Sequence, residues 1–302
     1  MSYSRLLKVP CVRIIGLLIM ATALASISAC SAVKLAYNNV PDIGYWWMDG
    51  YVDFNEPQTL QLRSDLAQLH KWHRETELVK MADLLQRVQQ LAPMDTTPEQ
   101  LCGLFADARE RFDVLARQAE PATAALALTL EPAQIKHMEA HFEKGNAEWR
   151  REWVSGNRGE RRERRLKSSI ERAEQFYGTL DERQRAVLGD ALNQSRFDPQ
   201  RSYNERVRRQ QDMLQTLRAL LASNGGERPT IAATRTALRA YLDRSLRSPD
   251  PDYRAYADNA TMDSCRTYAR LHNSTSAQQR ARAKGRLAAY ERDAREVAAP
   301  AS

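Results

Sequence analysis

Four of the five histidines stand in helical pairs, His70 with His73 and His137 with His141. Spacings of three and four residues put both rings of a pair on one helix face, as chelation of a metal ion requires. Glu77 follows His73 by one turn and adds a carboxylate to the first pair. Neither pair carries the glutamate of a His-Glu-x-x-His zinc helix, and histidines paired along a helix serve equally well as structural contacts. His70, His73, Glu77, His137 and His141 are therefore metal candidates that the structural reading outweighs, and no bound metal or cofactor is expected. A second constellation is cationic. Between Arg150 and Lys167 there are eight basic and three acidic residues, including Arg161, Arg162, Arg164 and Arg165. Guanidinium groups grouped on a helix suit bidentate binding of carboxylate or phosphate. The plainer alternative is a solvated face of i,i+4 Glu–Arg pairs. The run lacks the series of interleaved aromatics that stacks on nucleic-acid bases. No Gly-x-Ser-x-Gly elbow, Ser-x-x-Lys set or glycine-rich phosphate cradle occurs, so no catalytic residue is nominated and a non-enzymatic role is expected.

The four cysteines divide by position. Arg5, Lys8 and Arg13 precede an apolar run from Ile14 to Ile27 that ends in Ile27-Ser28-Ala29-Cys30. That ending is a lipobox, in which the Cys30 thiol takes a diacylglycerol and becomes the mature N-terminus after residues 1–29 are removed as a signal peptide. The run is shorter than the ~20 residues a membrane span needs. Ser31, where an aspartate would signal otherwise, points to the outer membrane, with the body facing the periplasm. Removing Arg5, Lys8 and Arg13 lowers the formal net charge from +7 to about +4. Cys11 leaves with the signal peptide, so Cys102 and Cys265 remain as thiols in an oxidising compartment and are expected to pair. Such a bond closes a loop of about 160 residues, for which chain entropy alone gives roughly 5 kcal/mol. The partners implied are the membrane, through the lipid, and an envelope protein or anionic envelope polymer; nucleic acid is not expected there.

The elements that must position these groups read as helices. Over 302 residues the chain has 12 Gly and 12 Pro, too few turn signals for many short strands. Apolar residues recur at helical spacing: Leu62, Leu66, Leu69; Leu84, Val88, Leu91; Leu101, Phe105, Ala108, Phe112, Leu115; Ile135, Met138, Phe142; Leu166, Ile170, Ala173, Tyr177; Leu214, Leu217, Leu221; and Ala283, Leu287, Tyr290. The pattern predicts an all-α bundle of roughly eight to ten amphipathic helices. It forms one domain over 57–297, after a lipidated aromatic segment at 30–56 and before a disordered tail at 298–302. Helix starts are marked at Asn55-Glu56-Pro57, Thr97-Pro98-Glu99-Gln100, Glu131-Pro132-Ala133-Gln134, Asp181-Glu182-Arg183-Gln184 and Ser276-Ala277-Gln278. They are similar to the Leu-Thr-x-x-Gln starts of small periplasmic chaperones, a pattern that capping produces unaided. Breaks are expected at Ser155-Gly156-Asn157-Arg158-Gly159 and at Ala222-Ser223-Asn224-Gly225-Gly226.

The densest aromatic stretch is Tyr45-Trp46-Trp47-Met48-Asp49-Gly50-Tyr51-Val52-Asp53-Phe54. Laid at a membrane interface, such rings would settle among headgroups. Asp42, Asp49 and Asp53 favour the other reading, in which they pack as the first helix of the bundle.

The lipobox, followed by Ala36-Tyr37-Asn38-Asn39 and Leu69-His70-Lys71-Trp72-His73-Arg74-Glu75-Thr76-Glu77-Leu78, resembles the bacterial lipoproteins grouped as domain of unknown function 6279. Asn146-Ala147-Glu148-Trp149-Arg150-Arg151, Glu174-Gln175-Phe176-Tyr177-Gly178 and Leu271-His272-Asn273-Ser274-Thr275 extend the resemblance over most of the mature chain. It implies a helical lipoprotein and carries no catalytic residue over.

Overall fold

The local capping grammar of the sequence is realised at every expected start. In the computed structural model, which describes residues 33–222 and 229–299, the side chains of Asn55, Thr97, Asp181 and Ser276 each accept a hydrogen bond from the backbone amide three residues on. Gln58, Gln100, Gln184 and Gln279 return the bond by accepting from the amide of the capping residue. Gln134 does the same for Glu131 at 2.9 Å. Each box satisfies helix-end amides that would otherwise lack partners.

The helices that follow are α1 (Val40–Val52), α2 (Glu56–Trp72), α3 (Leu78–Leu91), α4 (Pro98–Ala127), α5 (Pro132–Trp149), α6 (Arg158–Tyr177), α7 (Glu182–Gln194), α8 (Pro199–Leu221), α9 (Ile231–Leu246), α10 (Pro251–Asn273) and α11 (Ala277–Ala298). The protein is all-α, with no strand among the described residues. A π-helical turn at His73–Glu77 fuses α2 and α3 into one unbroken rod, and another at Arg150–Val154 extends α5. Residues 33–38 are also helical and lead into α1 past a turn at Asn39. The bundle thus begins before residue 57, because Val52 of α1 is itself a core residue.

Two apolar clusters hold the helices. The first gathers Val52, Ala127, Leu130, Ile135, Met138, Leu214, Leu217 and Leu220, drawn from α1, α5, α8 and the end of α4. The second gathers Ala173, Leu180, Leu188 and Leu271, from α6, α7 and α10. The α2–α3 rod runs between them. At its start Gln58 meets the head of α5, and near its end Gln89 bonds Glu291 of α11 at 2.6 Å. Cys102 of α4 and Cys265 of α10 form a disulfide with their Cα atoms 5.6 Å apart. Phe105 and Phe112, whose spacing placed them on a buried stripe, stand 45% and 68% exposed. That stretch of α4 has too few neighbours to cover both faces.

The capping glutamines have a second role invisible in local sequence. Gln58 and Gln134 form a reciprocal amide pair, each donating to the other's carbonyl oxygen at 3.1 and 2.6 Å. Each also donates to a backbone carbonyl two residues before the partner helix's cap, Thr129 for Gln58 and Asp53 for Gln134. Gln184 and Gln279 repeat the arrangement at 2.7 and 3.0 Å, with the carbonyls of Ser274 and Thr179. Gln58, Gln134 and Gln184 are buried. Each lock docks two helix N-termini while leaving no amide group unsatisfied.

Candidate functional site

The arginine run becomes a pocket because of how the chain turns into α6. Ser155-Gly156-Asn157 breaks the helical path, with Gly156 at φ +90°, a region L side chains rarely adopt. A Cβ there would also lie 2.5 Å from the Glu160 carboxylate. Asn157 then caps α6, accepting from the Glu160 amide at 3.0 Å. The helix folds back beside α7 and the start of α8, and encloses a pocket of about 430 Å³.

Arg158, Arg161, Arg162, Arg165 and Arg172 follow one another at spacings that keep them on one face of α6, and Arg164 joins them at the pocket wall. None of these six forms an ion pair among the described residues, so the expected Glu–Arg pairs along this face are not made. Three of them are anchored by uncharged groups. Arg161 donates to the carbonyls of Val154 (3.2 Å) and Gly156. Arg164 donates to the Ser155 carbonyl at 3.0 Å. Arg165 donates to Ser195 Oγ at 3.1 Å and stacks 4.5 Å from the centre of the Phe197 ring. Burial pushes the Arg165 pKa down, against a smaller opposing influence of Tyr256. A guanidinium so far above neutrality remains charged. Arg158, Arg162 and Arg172 make no hydrogen bond to protein among the described residues.

Acidic groups do little to neutralise this charge. Asp198 on the rim spends its carboxylate on the amides of Gln200 and Arg201 at the head of α8. Glu152 stands at the edge, exposed. The remaining wall is Trp153, Ser168, Leu192, Asn193, Ser195, Phe197 and Pro199. Its aromatics are Trp153, the one aromatic within the basic run, set at the pocket by the π-helical turn, and Phe197, which arrives from the α7–α8 loop. Arg158 and Arg172 were legible from their spacing to Arg161, Arg162 and Arg165. Phe197 and Ser195 carried no such signal. Cationic donors held against hydroxyls, carbonyls and rings and open to solvent have the chemistry to pair with an anion.

The histidine candidates sit elsewhere and are occupied. Tyr37 packs between the rings of His70 and His73, at centroid separations of 4.7 and 5.9 Å. Its hydroxyl meets His73 Nδ1 at 2.8 Å, and its carbonyl meets His70 Nε2 at 3.0 Å. Burial lowers both histidine pKa values, which favours neutral rings. Glu77, 2% exposed, turns away from His73 to accept from Lys80 (2.7 Å) and Arg111 (3.2 Å). Burial alone would raise its pKa, and the two cations more than offset that. His137 Nε2 lies 3.3 Å from the Gly50 carbonyl, and the His141 ring rests 4.0 Å from that of Tyr51. Among the described residues no three or more His, Cys, Asp or Glu side chains are grouped to hold a metal ion.

A second cavity, of about 480 Å³, is apolar and lined by Val52, Leu130, Leu217, Leu238 and their neighbours. Its buried carboxylate, Glu120, is taken up by Arg235 at 2.8 Å and by Arg239. Cys30, expected to carry lipid, lies outside the described residues. Among those residues no helix is long and apolar enough to cross a membrane.

The stretches that carried the family resemblance meet in pairs. Tyr37 sits on His70 and His73, with Asn38 accepting from Arg74 at 2.5 Å. Tyr177 faces His272, hydroxyl to Nδ1, at 2.9 Å. No curated protein and no solved structure matches the chain. A family model does match residues 50–228, a span that includes the whole arginine pocket but neither the exposed turns of α1 nor Cys265. That span is more than half of the chain, and the chain belongs to the family of unknown function DUF6279.

Proposed function

We propose that this protein is a non-enzymatic binding protein of the bacterial envelope, lipid-anchored at Cys30 in the outer membrane and facing the periplasm, that holds an anionic envelope component in the arginine pocket of α6. One observation carries the reading. Six arginines converge on one solvent-open pocket without a carboxylate partner. The arginines gathered around Glu205, Asp212 and Glu120 are, by contrast, neutralised by those acids. Uncompensated charge of this density costs stability by self-repulsion, and a ligand that supplies the counter-charge recovers it. A phosphate or carboxylate group supplies the matching bidentate acceptors, and Trp153 and Phe197 offer flat apolar surface to whatever carries it.

The probe is tripolyphosphate, titrated into the mature chain by calorimetry at low salt and again at raised salt. The expected result is binding that weakens with salt and falls at least tenfold in Arg162→Ala/Arg172→Ala, with thermal stability unchanged. Absence of heat at low salt overturns the reading. The anchor is tested separately by radiolabelled palmitate, whose incorporation should be abolished by Cys30→Ala. Label surviving that substitution overturns the anchor.

A further inference from the structure

The aromatic stretch near the N-terminus is split by the fold. Tyr45 and Tyr51 turn inward: the Tyr45 hydroxyl lies 3.3 Å from Thr59 Oγ1, and Tyr51 packs on His141 and Phe142. Trp46 and Trp47 turn outward and are 73% and 65% exposed, with Ile43 at 57% and Val40 at 46%. Packing as a bundle helix therefore accounts for only half of the cluster. With exposed Gly50, these residues recur at spacings of three and four and form one face of α1. Of the three aspartates that argued against a membrane, Asp42 accepts from Arg63 at 2.7 Å and Asp49 accepts from the Phe54 amide at 3.0 Å, while Asp53 is exposed just past the end of α1.

We propose that this face of α1, centred on Ile43, Trp46 and Trp47, lies against the lipid bilayer interface and fixes how the body stands on the membrane. The proposal rests on lipidation of Cys30 as read above. Cys30 is three residues from residue 33, where the described helix begins, so extended chain keeps that residue within about 10 Å of the lipidated sulfur. The tether holds the start of the helical segment beside the headgroup region, within reach of the outward face of α1. Indole rings with aliphatic neighbours are the side chains that settle at that depth. Lipid supplies the durable attachment, and the α1 face supplies orientation, since a chain held at one point alone would pivot freely.

The experiment uses the full lipidated chain reconstituted into phosphatidylethanolamine–phosphatidylglycerol vesicles containing lipid brominated near the headgroup. The chain has five tryptophans, Trp46, Trp47, Trp72, Trp149 and Trp153. Vesicle flotation reports the anchor, and bromine quenching reports the face. The expected result is flotation with substantial tryptophan quenching, most of which disappears in Trp46→Phe/Trp47→Phe while flotation persists. Flotation with no quenching, or with quenching unchanged in the double variant, overturns the face and leaves the anchor standing. Flotation without quenching accompanied by a dimer in sedimentation assigns the face to a second copy and also overturns the proposal. A chain that does not float overturns anchor and face together.

Discussion

Arginines in this protein live in two kinds of neighbourhood, and α8 and α6 show the contrast. On α8 the buried carboxylate of Glu205, 5% exposed, accepts from Arg208 (2.8 Å), Arg209 (2.9 Å) and Ser248 (3.1 Å). Asp212 two turns on is bridged by Arg244 of α9 at 2.6 Å. On α6 the arginines point into a pocket and are held, where they are held at all, by carbonyls, a hydroxyl and an aromatic ring. The first neighbourhood joins helices. The second is poorly explained by joining helices, because exposed guanidiniums without acids add little to stability. Composition alone, rich in Arg, conceals this division; partner chemistry reveals it.

The widest test of the contrast removes a bond that belongs to neither neighbourhood. Cys102→Ser/Cys265→Ser opens a link across 163 residues and should cost up to about 5 kcal/mol in thermal or denaturant unfolding. Tripolyphosphate affinity of the folded chain should stay unchanged, and a parallel loss of affinity would show that the pocket depends on the α4–α10 link. Next in size, Glu205→Ala leaves two guanidiniums without their shared acid and should cost about 2 kcal/mol, read from the denaturation midpoint. Arg165→Ala removes a half-buried side chain from Phe197 and Ser195 and should cost about 1 kcal/mol while also weakening the ligand. Arg162→Ala should lie within about 0.5 kcal/mol of the parent. A larger loss there would erase the distinction between the two neighbourhoods.

Acid separates them as well. Burial would raise the Glu205 pKa, yet Arg208 and Arg209 bring it below the ordinary carboxylate value, and Arg244 chiefly does the same for Asp212. A group whose folded pKa is depressed contributes stability above its unfolded pKa and loses it as pH falls through the folded one. Stability should therefore be flat near neutrality and drop below roughly pH 4, where unfolded carboxylates begin to take up protons. The α6 arginines do not titrate in that window, so any change in tripolyphosphate affinity measured on the folded fraction should follow protonation of the ligand's own terminal phosphates, whose pKa is about 6. Circular dichroism melts across pH, set beside calorimetry, check both statements.

What the sequence disclosed follows the range of each interaction. The helix starts at Asn55, Thr97, Glu131, Asp181 and Ser276 were readable because a capping box is closed within four residues. The mutual pairing of Gln58 with Gln134 and of Gln184 with Gln279 was not, since their partners lie 76 and 95 residues away. The π-helical turns at His73–Glu77 and Arg150–Val154 leave no mark in periodicity short enough to register. Periodicity also names a helix's apolar face without saying what faces it, which is why Phe112 and Trp46 proved exposed. The basic pocket was half legible: Arg161, Arg162, Arg164 and Arg165 stood out as a run, while Phe197 and Ser195 reach it only through the fold.

The glutamine locks bear on the order in which the molecule assembles. A capping box can close as soon as its own turn of helix forms, within microseconds. A reciprocal amide pair spanning 76 or 95 residues gives nothing back until both helix ends have been brought into register, so its entropy cost falls early and its return late. Interactions absent from the folding transition state act mainly by slowing escape from the native state. Gln58 and Gln184 should thus leave refolding rates nearly untouched and set how long the finished bundle stays closed.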